Sequence, residues 1–467
     1  MERGVSAMNM KKILLIMMTV TTALVMTACS GKTNSQTSSE DYKYSSYVYD
    51  DNEAQFYMSD NAAASETGYY YITGAPVNNN NNKYIYYYDM VKDITIPLCS
   101  KVDCDHRTED CEAYISKNNC TGYKIWYHNQ RLYMIERTEE KDILVSYDKT
   151  MRDKKEEKTL SINGMSVNSN PYNACIINGK LYYELSADGS MYICAASLNS
   201  DEQAYIVKQY ISEYHYHERL TLYPMEDKIY INWLSGISAS EYMYYIEQIN
   251  TSTDEVIRLC NMNEKYPEIA STILFTGWCV QSRYDNEGNI YLACVDDNKY
   301  IVRRLNISTG DIKDIYTQEM QHEKDYNYVS LKNYDGKYLY IYKNVNGEAL
   351  DGKSIEEKRK KYDNNIYILD TDGNVIDTVT LNGTDPTASG NVPGEFYGGD
   401  DRCMLIAFRD YDIKGLELSE EKTALMAELI EESRKNRKGS PVVFVSAILD
   451  KSQIGSGAIT MEQITPE

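Results

Sequence analysis

Polar turns and short alternating strands recur along this chain with a regular rhythm. A two-residue polar turn runs into an apolar or aromatic strand at Thr67-Gly68 before Tyr71, Asn129-Gln130 before Tyr133, Asn178-Gly179 before Tyr182 and Glu226-Asp227 before Tyr230. The same signal follows at Glu287-Gly288 before Tyr291, Asp335-Gly336 before Leu339 and Asp400-Asp401 before Met404. A second signal, an Asp or Asn that closes a strand and opens a turn, falls at Asp89, Asp148, Asn199, Asn250, Asn306, Asp370 and Asp450. The two sets alternate strictly. Such residues accept the left-handed and Asx conformations that hairpins need. The segments around them, such as Lys228-Ile229-Tyr230-Ile231-Asn232, alternate as strands do.

Each unit then holds four antiparallel strands, the first signal joining strands one and two and the second joining three and four. Units of this kind predict an all-β fold, a β-propeller of four-stranded blades. Seven blades are expected over residues 42–467, with six or eight as the alternatives because the first and last units are the least regular. A string of β-sandwiches would need two or three domains, and no Pro/Gly-rich linker divides the body.

Up-and-down strands put both recurring turns on one face of the disc. The longer intervals open on the other. These are 72–83, 344–363 and 409–440, each between strands two and three of a blade, and 99–120, between the first and second blades. Loops presented by a rigid scaffold carry function, so this face is the candidate binding face. One short inserted helix is expected over residues 419–434. Ser419 caps it, Glu420 and Glu421 suit its positive end, and Leu418, Leu425, Met426, Leu429 and Ile430 form an apolar stripe.

Composition changes this picture in a few places. The net charge is −22, which argues against a nucleic-acid partner. A mean hydropathy of −0.54 argues against a polytopic membrane protein. Tyr outnumbers Phe by 45 to 5. Radially packed sheets offer many sites that are apolar on one side and wet at the end, and Tyr suits those sites.

The N-terminus reads as an address. Lys11 and Lys12 precede an apolar run from Ile13 to Met26, the layout of a secretory signal peptide over 1–28. The run ends in Met26-Thr27-Ala28-Cys29-Ser30-Gly31, which resembles the lipobox of bacterial lipoproteins. That resemblance implies that Cys29 is lipidated and becomes the mature N-terminus. Residues 29–41 would then be a flexible tether, and the body would face the outside of the cytoplasm, held to the cell membrane through lipid. Losing residues 1–28 removes a net +2 and leaves −24, so lipid rather than charge would do the holding.

Of the 11 cysteines, four cluster: Cys99, Cys104, Cys111 and Cys120. With His106 the first three form Cys-x4-Cys-x-His-x4-Cys. Three thiolates and an imidazole suit a tetrahedral metal such as a structural zinc, and Asp103, Asp105 and Asp110 lower the potential around it. One or two disulfides, with Cys120 as a further partner, are the equal alternative in an oxidising compartment. Cys175, Cys194, Cys260, Cys279, Cys294 and Cys403 sit inside expected strands and read as small buried residues. His215 and His217 read as part of a solvated linker, with a metal pair as the sharper alternative.

The segment Leu98-Cys99…Cys104-Asp105-His106…Cys111-Glu112-Ala113-Tyr114 resembles one in uncharacterised, propeller-like lipoproteins of Gram-positive bacteria. Leu449-Asp450-Lys451-Ser452-Gln453-Ile454-Gly455 resembles them too. The resemblance implies location and fold, and carries no activity. No nucleophile elbow, zincin pair, phosphate loop or dinucleotide fingerprint is present, so no catalytic residue is assigned. The expected function is a membrane-anchored binding or scaffold module for a glycan, peptide or partner protein. The alternative is a propeller hydrolase or lyase acting on cell-surface or dietary glycans, which needs carboxylates from several blades at the axial mouth.

Overall fold

The structure is a computed structural model. It describes residues 43–464 apart from 52, 54–57, 59–60, 75–82, 105, 107, 116–119, 139–140, 168–172, 188, 212–217, 238–240, 277–278, 297–298, 320–326, 346–364, 381–394, 411–423 and 425–442. Tyr47–Glu467 form one compact unit, a seven-bladed β-propeller.

Blade 1 is β1 (Ala62–Ser65), β2 (Gly68–Gly74), β3 (Lys83–Asp89) and β4 (Ile94–Pro97), with β5 (Tyr114–Ile115) also paired to β3. Blade 2 is β6 (Cys120–His128), β7 (Arg131–Arg137), β8 (Asp142–Asp148) and β9 (Lys155–Thr159). Blade 3 is β10 (Ser166–Val167) and β11 (Ala174–Ile177), which share one edge, then β12 (Lys180–Ala187), β13 (Ser190–Ser197) and β14 (Tyr205–Ile211). Blade 4 is β15 (Glu218–Met225), β16 (Lys228–Gly236), β17 (Tyr242–Asn250) and β18 (Val256–Asn261). Two single-turn helices, α1 (Met262–Lys265) and α2 (Pro267–Ala270), and a small ribbon of β19 (Phe275–Thr276) and β20 (Cys279–Val280) follow. Blade 5 is β21 (Ser282–Tyr284), β22 (Asn289–Asp296), β23 (Lys299–Asn306) and β24 (Ile312–Glu319). Blade 6 is β25 (Asn327–Tyr334), β26 (Leu339–Val345), β27 (Asn365–Leu369) and β28 (Val375–Thr380). Blade 7 is β29 (Glu395–Gly399), β30 (Cys403–Asp410), β31 (Val443–Asp450) and β32 (Met461–Gln463).

Both families of turns lie where the sequence pattern puts them. Asn129 and Gln130 have φ of 48° and 58°, and Asn178 and Gly179 have 51° and 69°. Two successive positive φ values make the tight turn whose twist matches the flanking strands. At the other turns an Asx side chain caps the backbone. Asp148 Oδ1 accepts the N–H of Thr150 and Arg152, and Asp370 Oδ1 accepts those of Asp372 and Asn374. Asn250 and Asn306 do the same.

The first strands of the blades touch in the order β1, β6, β11, β15, β21, β25, β29, and β29 returns to β1. These seven strands therefore ring the axis, and the fourth strands form the rim. Apolar clusters join consecutive blades from 1–2 through 6–7. One such cluster sets Ala63, Tyr70, Ile72 and Ile85 of blade 1 against Ile125, Leu132, Ile143 and Val145 of blade 2. Cys175, Cys194, Cys260, Cys294 and Cys403 are buried in these faces, as strand thiols should be. Cys279 lies on β20, and its side chain is outside the described residues.

Three expectations change. The cysteine-bearing interval does not lie between blades 1 and 2. It interrupts the outer strand of blade 1, which resumes as β5. Helices appear as α1 and α2, where none was expected, because four residues are too few to show a periodicity. The helix expected over 419–434 falls, but for Ala424, outside the described residues, as do Cys29, His215 and His217.

The third change concerns Tyr. Eleven of the largest fully buried side chains are tyrosines, among them Tyr71, Tyr182, Tyr291 and Tyr340. Several of their hydroxyls end on protein acceptors rather than in water. Tyr291 donates to Asp285 at 2.9 Å, Tyr340 to Asp335 at 2.6 Å and Tyr69 to Asp400 at 2.7 Å. Phe in these places would take one donor from a buried carboxylate.

Candidate metal centre

The interval between β4 and β5 begins and ends at one residue of β3. Leu98 donates its N–H to the Ile85 carbonyl at 3.0 Å, and Ile85 donates its own N–H to the Ala113 carbonyl at 2.9 Å. Residues 99–112 thus leave the blade edge and return to the same point. Leu98, Ala113 and Ile115 are buried and hold the base of the loop in the core.

Within the loop, short polar contacts do the folding. Cys99 N–H turns back to the Pro97 carbonyl at 2.8 Å, and Cys111 N–H to that of Thr108 at 3.2 Å. Ser100 clasps Glu112 twice, its N–H and its Oγ both 2.7 Å from Oε2. The N–H of Ser100 is the larger influence holding the Glu112 carboxyl below its ordinary value. Lys101 Nζ donates to the Asp110 carbonyl. His106 sits at a φ of 56°, a left-handed conformation rare for a non-glycine residue that is found here between two ligand candidates.

These contacts bring one ligand atom each from Cys99, Cys104, His106 and Cys111 within 4.8 Å of one another. His106 Nδ1 lies 3.4 Å from Cys111 Sγ. Around a tetrahedral zinc with bonds of about 2.0–2.3 Å, neighbouring ligand atoms stand about 3.5–3.8 Å apart. The cluster is therefore close to the size a zinc ion requires. Cys99, Cys104 and Cys111 are free thiols. Cys120 opens β6 opposite Glu136, and its side chain is outside the described residues.

The thiols are not electrostatically alike. Burial works against ionisation of Cys99, but the backbone N–H groups of Lys101 and Glu112 and the thiols of Cys104 and Cys111 outweigh it and lower its pKa. Burial, joined by the two neighbouring thiols, pushes Cys111 up to about 12. Cys99 and Cys111 each receive a hydrogen bond from the backbone N–H two residues ahead, those of Lys101 and Ala113. Donors of this kind stabilise metal-bound thiolates. Three sulfurs and one nitrogen fill a tetrahedron and leave no open position, the arrangement of a structural site.

The sequence pattern identified all four converging residues. It missed Ser100 and Glu112, whose only signal was adjacency to Cys99 and Cys111. Asp110 accepts from Lys101 through its backbone carbonyl, and Asp105 is outside the described residues.

No family model matches the sequence, and no curated protein matches it either. Among solved structures, the chain is similar to several. TolB from Acinetobacter baumannii is 12% identical with a TM-score of 0.33, over 66% of this chain and 62% of that one; the chain thus spans less than two thirds of TolB. A putative 6-phosphogluconolactonase from Bacteroides fragilis is 11% identical with a TM-score of 0.40, over 85% and 95%. The β-propeller domain of the Trilobed protease from Pyrococcus furiosus, described as having an open velcro topology, is 11% identical with a TM-score of 0.37, over 76% and 90%.

Proposed function

We propose that this chain is a lipid-anchored extracytoplasmic protein whose propeller acts as a binding or scaffold module for a glycan, peptide or partner protein. The observation that carries the binding role is the asymmetry of the disc. The strand ends Gly74 and Lys83, Val345 and Asn365, and Asp410 and Val443 bound the longest intervals between second and third strands, and these ends lie on the face opposite the tight turns. A rigid ring that keeps one face minimal and elaborates the other is suited to presenting loops. The lipid anchor rests on the Met26–Gly31 pattern in the sequence.

The cluster of Cys99, Cys104, His106 and Cys111 is proposed as a structural zinc site that clips the 99–112 loop onto the rim of blade 1. Elemental analysis of the purified full chain should give one zinc per chain, and thiol alkylation should become fast only after chelation. Protein free of zinc, with mass shifts only after reduction, would replace the clip by disulfides. For the binding role, the detergent-solubilised full chain is screened against glycan and peptide arrays. Saturable binding that disappears on deleting 411–442 supports the reading; binding indifferent to all three long loops removes it. Cys29→Ser should abolish incorporation of a labelled fatty acid.

A further inference from the structure

The axis carries a second constellation, independent of the metal centre and of whatever the loops bind. Arg283 is the middle residue of β21, the axial strand of blade 5. Lys332 lies on β25, the axial strand of blade 6. The two strands are neighbours in the ring. Along β25, Leu331 faces Ile341 and Asn333 faces Tyr340, so Lys332 is an extra residue with no partner across the ladder. Bulges of this kind re-aim a side chain, and they are frequent at functional positions.

Blade 5 pins the bulge from its own side. Gln281 Oε1 accepts the N–H of Leu331 at 3.2 Å, and an Arg283 Nη donates to the Lys332 carbonyl. The other Nη donates to the Ser282 carbonyl at 2.7 Å. The guanidinium is thereby fixed beside the lysine it holds. On the opposite face of β21, Ser282 Oγ donates to the Tyr223 hydroxyl of β15 at 3.4 Å, which ties the strand to blade 4.

Among the described residues no carboxylate pairs with Arg283 or Lys332, and none makes a hydrogen bond or ion pair with the lysine ammonium. The acids next along these strands are already committed. Asp285 accepts from Asn289 and Tyr291, and Asp335 from Lys451 and Tyr340. Burial, and then the Arg283 charge, press the Lys332 pKa down; burial does the same to Arg283. Two adjoining, partly buried cations in a chain of net charge −22 repel one another unless something negative lies between them.

We infer that Arg283 and Lys332 form an axial binding site for an oxyanion, the carboxylate or phosphate of a small ligand. An arginine whose remaining N–H groups are pre-oriented by two backbone bonds matches the planar fork of such a group. The lysine, re-aimed by the bulge, adds a mobile point charge.

The test uses the full chain in detergent, with inorganic phosphate in one arm and citrate in the other, at ionic strength held constant with sodium chloride. Either anion should raise the melting temperature saturably and give a calorimetric isotherm, and the better arm identifies the group. Lys332→Gln should weaken binding at least tenfold. It breaks no hydrogen bond among the described residues, so it should fold as the parent does, with an equal or higher melting temperature in anion-free buffer. Arg283→Gln should abolish binding, while Arg219→Gln on β15 should leave it unchanged. No saturable effect of either anion, or an affinity untouched by Lys332→Gln, overturns the proposal.

Discussion

Asp285, Asp335 and Asp400 each follow the axial strand of their blade and perform the same double task. One oxygen accepts backbone N–H groups of the turn, and the other takes a buried tyrosine hydroxyl or a cation. Asp335 is the most enclosed, with Lys451 of blade 7 at 2.7 Å and the pair almost wholly out of solvent. Burial acts to raise its pKa, but Lys451, Tyr340 and the Tyr338 N–H prevail and hold the carboxyl below its ordinary value. A carboxyl lowered on folding contributes stability that is complete above its unfolded pKa of about 3.9 and is lost as pH falls through the folded value. Urea titrations at stepped pH should therefore show this contribution constant from neutrality to about pH 4 and declining below it. Asp335→Asn leaves Lys451 buried without a counter-charge, so it should lower stability at pH 7 by about 3–5 kcal/mol. It should also flatten the acid limb. An acid limb as steep in the variant as in the parent would assign the pH dependence to other carboxylates.

At the scale of elements, what was legible in the sequence was what is local. The tight turns and the Asx turns were readable because each depends on the backbone preferences of two or three adjacent residues. The metal centre was readable because four ligands fall within thirteen residues. The interruption of the blade 1 rim was not, because only the pairing of Ile85 with both Leu98 and Ala113 reveals that the strand resumes after the loop. The bulge at Lys332 left no trace either, since one extra residue in an alternating strand only shifts the pattern. The axial anion site is hidden for the same reason: it joins residues 49 positions apart on two blades. The turns also allow a quantitative expectation. Gln130 occupies the left-handed region at 58° where the equivalent turn of blade 3 has Gly179 at 69°. An L-residue there costs about 1–2 kcal/mol relative to glycine, part of which glycine returns as unfolded-state entropy. Gln130→Gly should raise the urea midpoint by the equivalent of about 0.5–1 kcal/mol, and Gly179→Ala should lower it. Equal midpoints for Gln130→Gly and parent would mean that the neighbouring Asn129 sets the turn alone.

The whole molecule is a ring, and a ring made of consecutive sheets must close without help from the chain. All four strands of blade 7 come from one end of the sequence and all of blade 1 from the other, so among the described residues no strand is exchanged across the seam. Side chains cross it instead. Arg402, 1% exposed, is held by Asp400 at 2.7 Å and donates to the Ser65 and Glu66 carbonyls of blade 1 at 2.7 and 2.8 Å. Tyr69 reaches Asp400, Tyr397 donates to the Ile72 carbonyl at 3.0 Å, and Tyr71 donates to the Ile464 carbonyl at 3.1 Å. A seam built from directional bonds rather than a shared ladder opens when a few of them fail, whereas every interior blade also has covalent continuity on both sides. Regions that open sub-globally exchange their amides first. In native-state hydrogen exchange the amides of β1–β3 and β29–β31 should accordingly be the first of the ladder amides to exchange in mild denaturant, with blades 3–5 the last. Arg402→Ala removes the cation but leaves Asp400 buried, a loss of about 3–5 kcal/mol if uncompensated. It should accelerate exchange in blades 1 and 7 well before blade 4 responds. Uniform acceleration around the ring would instead mean that the propeller opens as a single cooperative unit, with the seam no weaker than any other joint.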